Sequence, residues 1–222
     1  MDSIPPARLA PLQHQPAPLR SKIIASLRSA IETGLLAPGT RLVEKDLCAQ
    51  LDVSRTSLRE ALRELAAEGI LDPSANRGLA VAAISREEAQ NAYRIRAVLE
   101  ALVVEQFIEK AGEAELQALV QDSAALKAAY CIGVLEPMLR AKRAFYDRIC
   151  SGADNAIAFD ILNRLVLRTS SLRSRSLMRK ERQQQSIAEI ETLLQAILRR
   201  DVAAARQAAI DHVGHAAVSS LG

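Results

Sequence analysis

The stretch from Leu47 to Leu65 constrains this chain of 222 residues more than any other. Its apolar residues fall into two helical runs: Val43, Leu47 and Leu51 in the first, and Leu58, Ala61, Leu62 and Leu65 in the second. Only Asp52-Val53-Ser54 lies between them, and Ser54 is a suitable N-cap for a helix from Arg55 to Glu68 that Gly69 closes. Two helices joined by so short a turn need small or apolar residues where they cross, and Ala49, Val53 and Leu58 supply them. The second helix begins with Ser54, Arg55, Thr56, Ser57 and Arg59, all polar.

The flanks complete a recognisable unit. Ile23, Ile24, Leu27, Ala30 and Ile31 recur at helical spacing before Gly34, and Pro38-Gly39 marks a turn into the next helix. After Gly69 come Ile70-Leu71, a polar turn from Asp72 to Gly78, and the short run Leu79 to Ala82, together predicting a two-stranded hairpin. Three helices and a hairpin make a winged helix-turn-helix, whose third helix, the one that begins after Ser54, enters a DNA major groove. Arg55 and Arg59, four apart and so on one face, are the candidate base readers, because a guanidinium bonds guanine O6 and N7 together. Ser54, Thr56 and Ser57 at the helix start suit phosphate oxygens. The bland alternative is that both arginines are a solvated face paired with Glu60 or Glu64, and that the wing is an ordinary hairpin turn.

Bulk charge does not decide the matter, since the net charge is only +3 and the pI about 8.9. Composition bears instead on the remainder: aromatic residues are 3% with no Trp, while Ala, Leu, Arg and Glu abound, the vocabulary of helices on aliphatic seams. From Ser85, which with Glu88 has capping-box spacing, helices are expected near 85–110, 113–130, 134–150, 154–171, 179–199 and 201–218, with Gly112, Gly133, Gly152 and Asp201 at boundaries. The fold class is mostly α: a winged helix-turn-helix over 19–84 followed by an all-helical bundle over 85–222, preceded by a proline-rich flexible tail over 1–18 in which His14 is solvated. Nothing approaches the roughly 20 apolar residues of a membrane span. The odd, scattered Cys48, Cys131 and Cys150 suggest no disulfide framework, which fits a reducing cytoplasm.

Several motifs together resemble the GntR family of bacterial regulators: the turn from Leu36 to Leu42, Ser54-Arg55-Thr56 through Leu62, and Glu68-Gly69-Ile70-Leu71 followed by Asn76-Arg77-Gly78. The resemblance implies that Arg55, Thr56 and Arg59 contact bases or phosphates, that Lys45 touches the backbone, and that Arg77-Gly78 at the wing tip reaches the minor groove. A small residue such as Gly78 allows close approach, and Arg favours a narrow groove. The helical part more weakly resembles the FCD domain of the FadR subfamily, through Tyr93-Arg94-Ile95-Arg96-Ala97-Val98-Leu99-Glu100, Phe145-Tyr146, and Glu189 to Ile197 with Asp201 and His212 beyond.

Many FCD domains hold a divalent metal through an Asp and three His residues. Alignment on those carriers puts Lys142, Tyr146, Ile190 and His212 at the four positions, so the expectation is no metal and no cofactor. His212 and His215 share a helical face, but two His without a third donor are ordinarily just two His. A small acidic effector must then be held by something else: Lys142 and Arg96 are expected to meet its charge, Tyr146 to give a hydroxyl, and His212 to line the same cavity. The alternatives are that Arg96 pairs with Glu100 at i,i+4 and that Tyr146 fills space. Arg164, Arg168, Arg173, Arg175, Arg179, Lys180 and Arg182 form a basic run that reads as a solvated face, an effector anchor, or a contact with DNA or a partner subunit.

The implied function is a cytoplasmic regulator that binds double-stranded operator DNA as a homodimer, since one winged helix reads only a few base pairs. A constitutive DNA-binding protein with a degenerate ligand domain and an enzyme fused to a reading head are the competing classes. No Ser-His-Asp set, P-loop or dinucleotide fingerprint supports the enzyme.

Overall fold

The computed structural model describes residues 18–74 and 78–222. The tail expected over 1–18, with His14, lies outside these residues except for Pro18, which opens the first helix, and Arg77 lies outside them too. The order is α1 (Pro18–Glu32), α2 (Glu44–Leu51), α3 (Arg55–Ala67), β1 (Leu71–Ser74), β2 (Gly78–Val81), then α4 (Arg86–Lys110), α5 (Glu113–Ile132), α6 (Leu135–Ala153), α7 (Ala156–Arg168), α8 (Ser170–Leu177), α9 (Lys180–Leu198) and α10 (Val202–Leu221). No helix among the described residues is long and apolar enough to cross a membrane.

The periodic residues of the front half do what their spacing predicts. Ile23, Ile24, Leu27 and Ile31 of α1 pack with Leu47, Leu58, Leu62 and Leu65 beneath the hairpin. Ser54 caps α3 by accepting the Ser57 amide at 3.2 Å, and Asp52 turns the chain out of α2 in the left-handed region at φ 51°. The hairpin pairs Leu71 with Val81 and Pro73 with Leu79, so β1 runs through Asp72, Pro73 and Ser74, which the sequence assigns to the turn. Proline is tolerated there because β1 is an edge strand, with no neighbour to ask for its missing N–H. On the other side of β2, Leu42 N–H donates to Leu79 C=O and Val81 N–H to Thr40 C=O, both at 2.9 Å, so the Pro-Gly turn is stitched to the wing.

Behind it, α4 is the axis, packed by α10, α6 and α7, and its Ser85–Glu88 capping box forms as expected. Phe107, Phe145, Met138, Ile149, Ile190 and Leu193 fill the interior with no measurable exposure. One feature corrects the sequence reading: the expected helix 154–171 stops at Arg168, and Ser170–Leu177 forms a separate helix, α8, that carries Arg173 and Arg175 of the basic run. Gly152 stands at the end of α6, one residue before its last, and a Cβ there would sit 2.6 Å from the Phe107 ring.

The two cores touch through α7 and α8. Leu167 belongs to the core of the reading head rather than to that of its own helices. Ser174 Oγ donates to the Glu32 carbonyl at the end of α1 at 2.5 Å.

Because Gly152 admits an otherwise fully buried ring, Gly152→Ala is expected to lower stability by about 1–3 kcal/mol, the usual cost of overpacking. Thermal and urea unfolding would check it; unchanged stability would mean that the ring has room to move.

Candidate functional site

The outer face of α3 carries the candidate DNA readers. Arg55 and Thr56 are exposed at its first turn, and Lys45 is exposed on α2. Among the described residues Arg55 makes no ion pair, so its guanidinium is available to a partner. Arg59 does have one, but neither with Glu60 nor with Glu64: its Nε lies 2.8 Å from Glu44 Oε2 on α2. A pair this exposed is worth only about 0–1 kcal/mol and yields readily to a phosphate or base. Ser54 Oγ is occupied as the cap and lies 3.0 Å from Ser57 Oγ, so these two hydroxyls hold the helix start as well as facing outward. Gly78 adopts φ +93°, a conformation few other residues accept, at the exposed foot of the wing.

A second site lies inside the helical bundle. Arg96 and Glu100 of α4, Lys142 and Tyr146 of α6, and Arg173 of α8 line a cavity of about 60 Å³, to which α1 contributes Glu32. Its apolar side is Leu139, Phe159, Leu162 and Val166. Arg96 pairs with Glu100 through Oε1, at 3.0 Å from Nε and 2.6 Å from Nη2, both residues being almost wholly buried. The i,i+4 pair foreseen as an alternative therefore exists, and it does not take Arg96 away from the cavity. Three side-chain atoms on this wall are buried with no hydrogen-bond partner: Arg96 Nη1, Glu100 Oε2 and Tyr146 Oη.

His212 stands behind this wall rather than on it. Its Nε2 is 2.9 Å from Lys142 Nζ, its Nδ1 is 2.6 Å from Glu189 Oε2, and Arg182 Nη2 donates to that same oxygen at 2.8 Å. The other carboxylate oxygen of Glu189 meets His215 Nδ1 at 2.7 Å. Glu189 was not among the sequence candidates, and Arg182 entered only as the end of the basic run. Arg182 sits at the end of the basic run read as solvated, yet it is 4% exposed. Arg173, from the same run, is half-buried at the cavity; Arg164, Arg168, Arg175, Arg179 and Lys180 are exposed.

Burial and the neighbouring Lys142 hold the His212 ring down to about 3, so it is neutral near pH 7. Burial pushes the Glu189 carboxyl up, but the hydrogen bonds from His212 and Arg182 prevail and set it at about 2. Lys142 lies well below the ordinary lysine range, first because it is buried and then because Arg173, Arg182 and Arg96 surround it. Burial likewise raises the Tyr146 hydroxyl well above its usual value, so it stays a neutral donor. With His212 Nδ1–H donating to Glu189, Nε2 carries the lone pair that accepts from Lys142.

That tautomer bears on the metal that FCD relatives hold. Of the four aligned positions Ile190 offers no donor, and the one free lone pair of His212 is turned to an amine. These residues do not fit a divalent ion, and among the described residues no group of three or more His, Cys, Asp or Glu side chains is arranged to hold one.

The chain is similar to known proteins over most of its length. The FCD domain matches residues 91–215, and the family described as "Bacterial regulatory proteins, gntR family" matches residues 19–81. The uncharacterized HTH-type transcriptional regulator YdhC of Bacillus subtilis (strain 168) is 24% identical over 211 residues, 90% of each chain. The HTH-type transcriptional repressor RspR of Escherichia coli (strain K12) is 26% identical over 196 residues, 88% of this chain and 86% of that one. The solved structure of E. coli McbR/YncC shares the fold with a TM-score of 0.82 at 23% identity, covering 89% of this chain and 94% of that one.

The His212 ring also sets a pH dependence. The unfolded chain takes up its proton near 6.5 and the folded one only near 3, so the unfolded state binds more protons between those values and stability falls as pH falls through them. Glu189 adds a further loss below its ordinary 4.5. Melting temperature is expected to drop from pH 7 to pH 5, and to drop less steeply in His212→Gln; parallel curves for the two proteins would contradict this assignment.

Proposed function

The chain belongs to the GntR family of bacterial regulatory proteins, as a DNA-binding transcriptional regulator with an FCD domain, and on that premise we propose that a small acid bound in the α4–α6–α8 cavity modulates its hold on operator DNA without a metal. Two units share the work in this reading: residues 19–84 bind the duplex, and residues 85–222 bind the effector and dimerise. Arg55 and Arg59 read bases, while Lys45, Ser54, Thr56 and Ser57 set the register on phosphates. Gly78, with Arg77, approaches the minor groove. The observation that carries it is the outer face of α3, where both guanidinium groups stand exposed at the end aimed away from the core.

For the effector, Arg96, Lys142 and Tyr146 supply donors to a carboxylate, and His212 positions Lys142 from behind. A bound acid reaches the reading head by two routes. One is the shift of α4 against the winged helix. The other is Glu32, which belongs to α1 yet walls the cavity and pairs with Arg143 Nη1 at 3.1 Å. An effector alters operator affinity only as far as it binds the two arrangements unequally. Dimerisation finds support in the apolar side chains left exposed on adjoining helices: Ile95 and Val98 of α4, and Ile157 and Ile161 of α7. The regulator would act in the cytoplasm, where its operator lies.

Selection of duplexes from a random pool by the full chain, followed by fluorescence anisotropy on the enriched sequence, tests the reading. Wild type is expected to enrich a two-fold symmetric site, and Arg55→Ala/Arg59→Ala to lose at least about thirtyfold in affinity for it, at about 1 kcal/mol or more per bidentate contact. Undiminished selectivity in the double variant would overturn it.

A further inference from the structure

The cavity wall holds an unpaired acceptor among its donors, and that restricts what fits. Glu100 is 2% exposed, its Oε1 is taken by Arg96, and its Oε2 has no partner. A ligand with nothing but a carboxylate would satisfy Arg96 Nη1 and Tyr146 Oη, but it would leave this anionic oxygen unpaired and add a second negative charge beside it. Both are costly away from water. The wall mixes both signs, with Glu32, Glu100 and Asp147 among Arg96, Lys142, Arg143 and Arg173. A ligand that carries both charges finds a partner for each.

Resting on the reading that this cavity is the effector site, we propose that it takes a small amino acid whose carboxylate lies on Arg96, Tyr146 and Lys142 and whose ammonium group donates to Glu100 Oε2. Each of the three unpaired buried atoms then gains a partner of complementary kind. The volume, about 60 Å³, admits only a few heavy atoms. Leu139, Phe159, Leu162 and Val166 offer a short aliphatic side chain apolar contacts. Glu100 is on this account a specificity residue, since it separates the amino acid from its hydroxy and unsubstituted counterparts. Hydrogen-bond readout discriminates in this way because the wrong ligand leaves a buried polar group of the site bare.

Three acids of one skeleton make the test: L-alanine, L-lactate and propionate, which carry an ammonium, a hydroxyl and a hydrogen at the same carbon. Isothermal titration of the full chain is expected to rank them in that order, with alanine at least about tenfold tighter than propionate, the weight of one charge-assisted hydrogen bond. Glu100→Gln is expected to cut the advantage of alanine to about threefold or less, as the amide oxygen accepts without charge. Tyr146→Phe, which removes a hydroxyl and leaves all charges in place, is expected to weaken the three acids by a similar factor. Retained operator binding and melting temperature show that each variant is folded. Propionate or lactate binding as tightly as alanine to the wild type overturns the amino-acid assignment while leaving an acid-binding cavity. Binding of none of the three overturns both.

Discussion

One chain of hydrogen bonds organises the interior of the helical bundle: Lys142 to His212, His212 to Glu189, and Arg182 to Glu189. It joins α6, α10 and α9 at the level where α4 brings in Arg96 and Glu100. Burying so many ionisable groups is expensive, and such a network adds little net stability over a well-packed apolar core. Its effect is on register. Sliding any of these helices by one residue would strand a buried charge, so the donors facing the cavity are held in place before any ligand arrives. The same chain assigns the lone pair of His212 to an amine, which is why the position aligned with a metal ligand in FCD relatives does another task here.

The cavity and the reading head are physically continuous. Leu167 leaves the bundle to pack in the core of the winged helix, Ser174 holds the last carbonyl of α1, and that same residue, Glu32, lines the cavity. On the proposed reading, a change in the occupant acts on a contact that α1 itself makes. The coupling then needs only two arrangements of the Glu32–Arg143 ion pair that differ in how firmly α1 is held.

Local rules made the front half legible. The spacing of Ile23, Leu27 and Ile31, the cap at Ser54 and the glycines after α1 and α3 are signals within a few residues of one another, and the structure follows them. The hairpin was misjudged only at Asp72 to Ser74, because a proline reads as a turn until one knows that its strand is an edge. Farther back, the helix ends near Gly112, Gly133, Gly152 and Asp201 are readable. That Gly152 also makes room for Phe107 is not, because the ring is distant in sequence and a close approach leaves no mark on local pattern. The cavity was half legible. Lys142, Tyr146 and Arg96 do meet on one wall, with His212 one contact behind. Glu189 and Arg182 escaped because an acid on a long helix and an arginine in a basic run both look solvated, and only the packing of α9 against α10 turns them inward. Glu32 carried no sign at all, since nothing in the end of a helix reveals what another domain will lay against it.

The hydrogen-bond chain that holds the bundle interior rests on the state of a single ring. Nitrogen-15 NMR of the histidine-labelled protein near pH 7 is expected to show His212 as the neutral tautomer protonated at Nδ1, with Nε2 accepting from Lys142, and Lys142→Met is expected to shift the Nε2 resonance while leaving Nδ1 protonated. An imidazolium, or a ring protonated at Nε2, would contradict the Lys142–His212–Glu189 arrangement and, with it, the misfit of that position for a metal ligand.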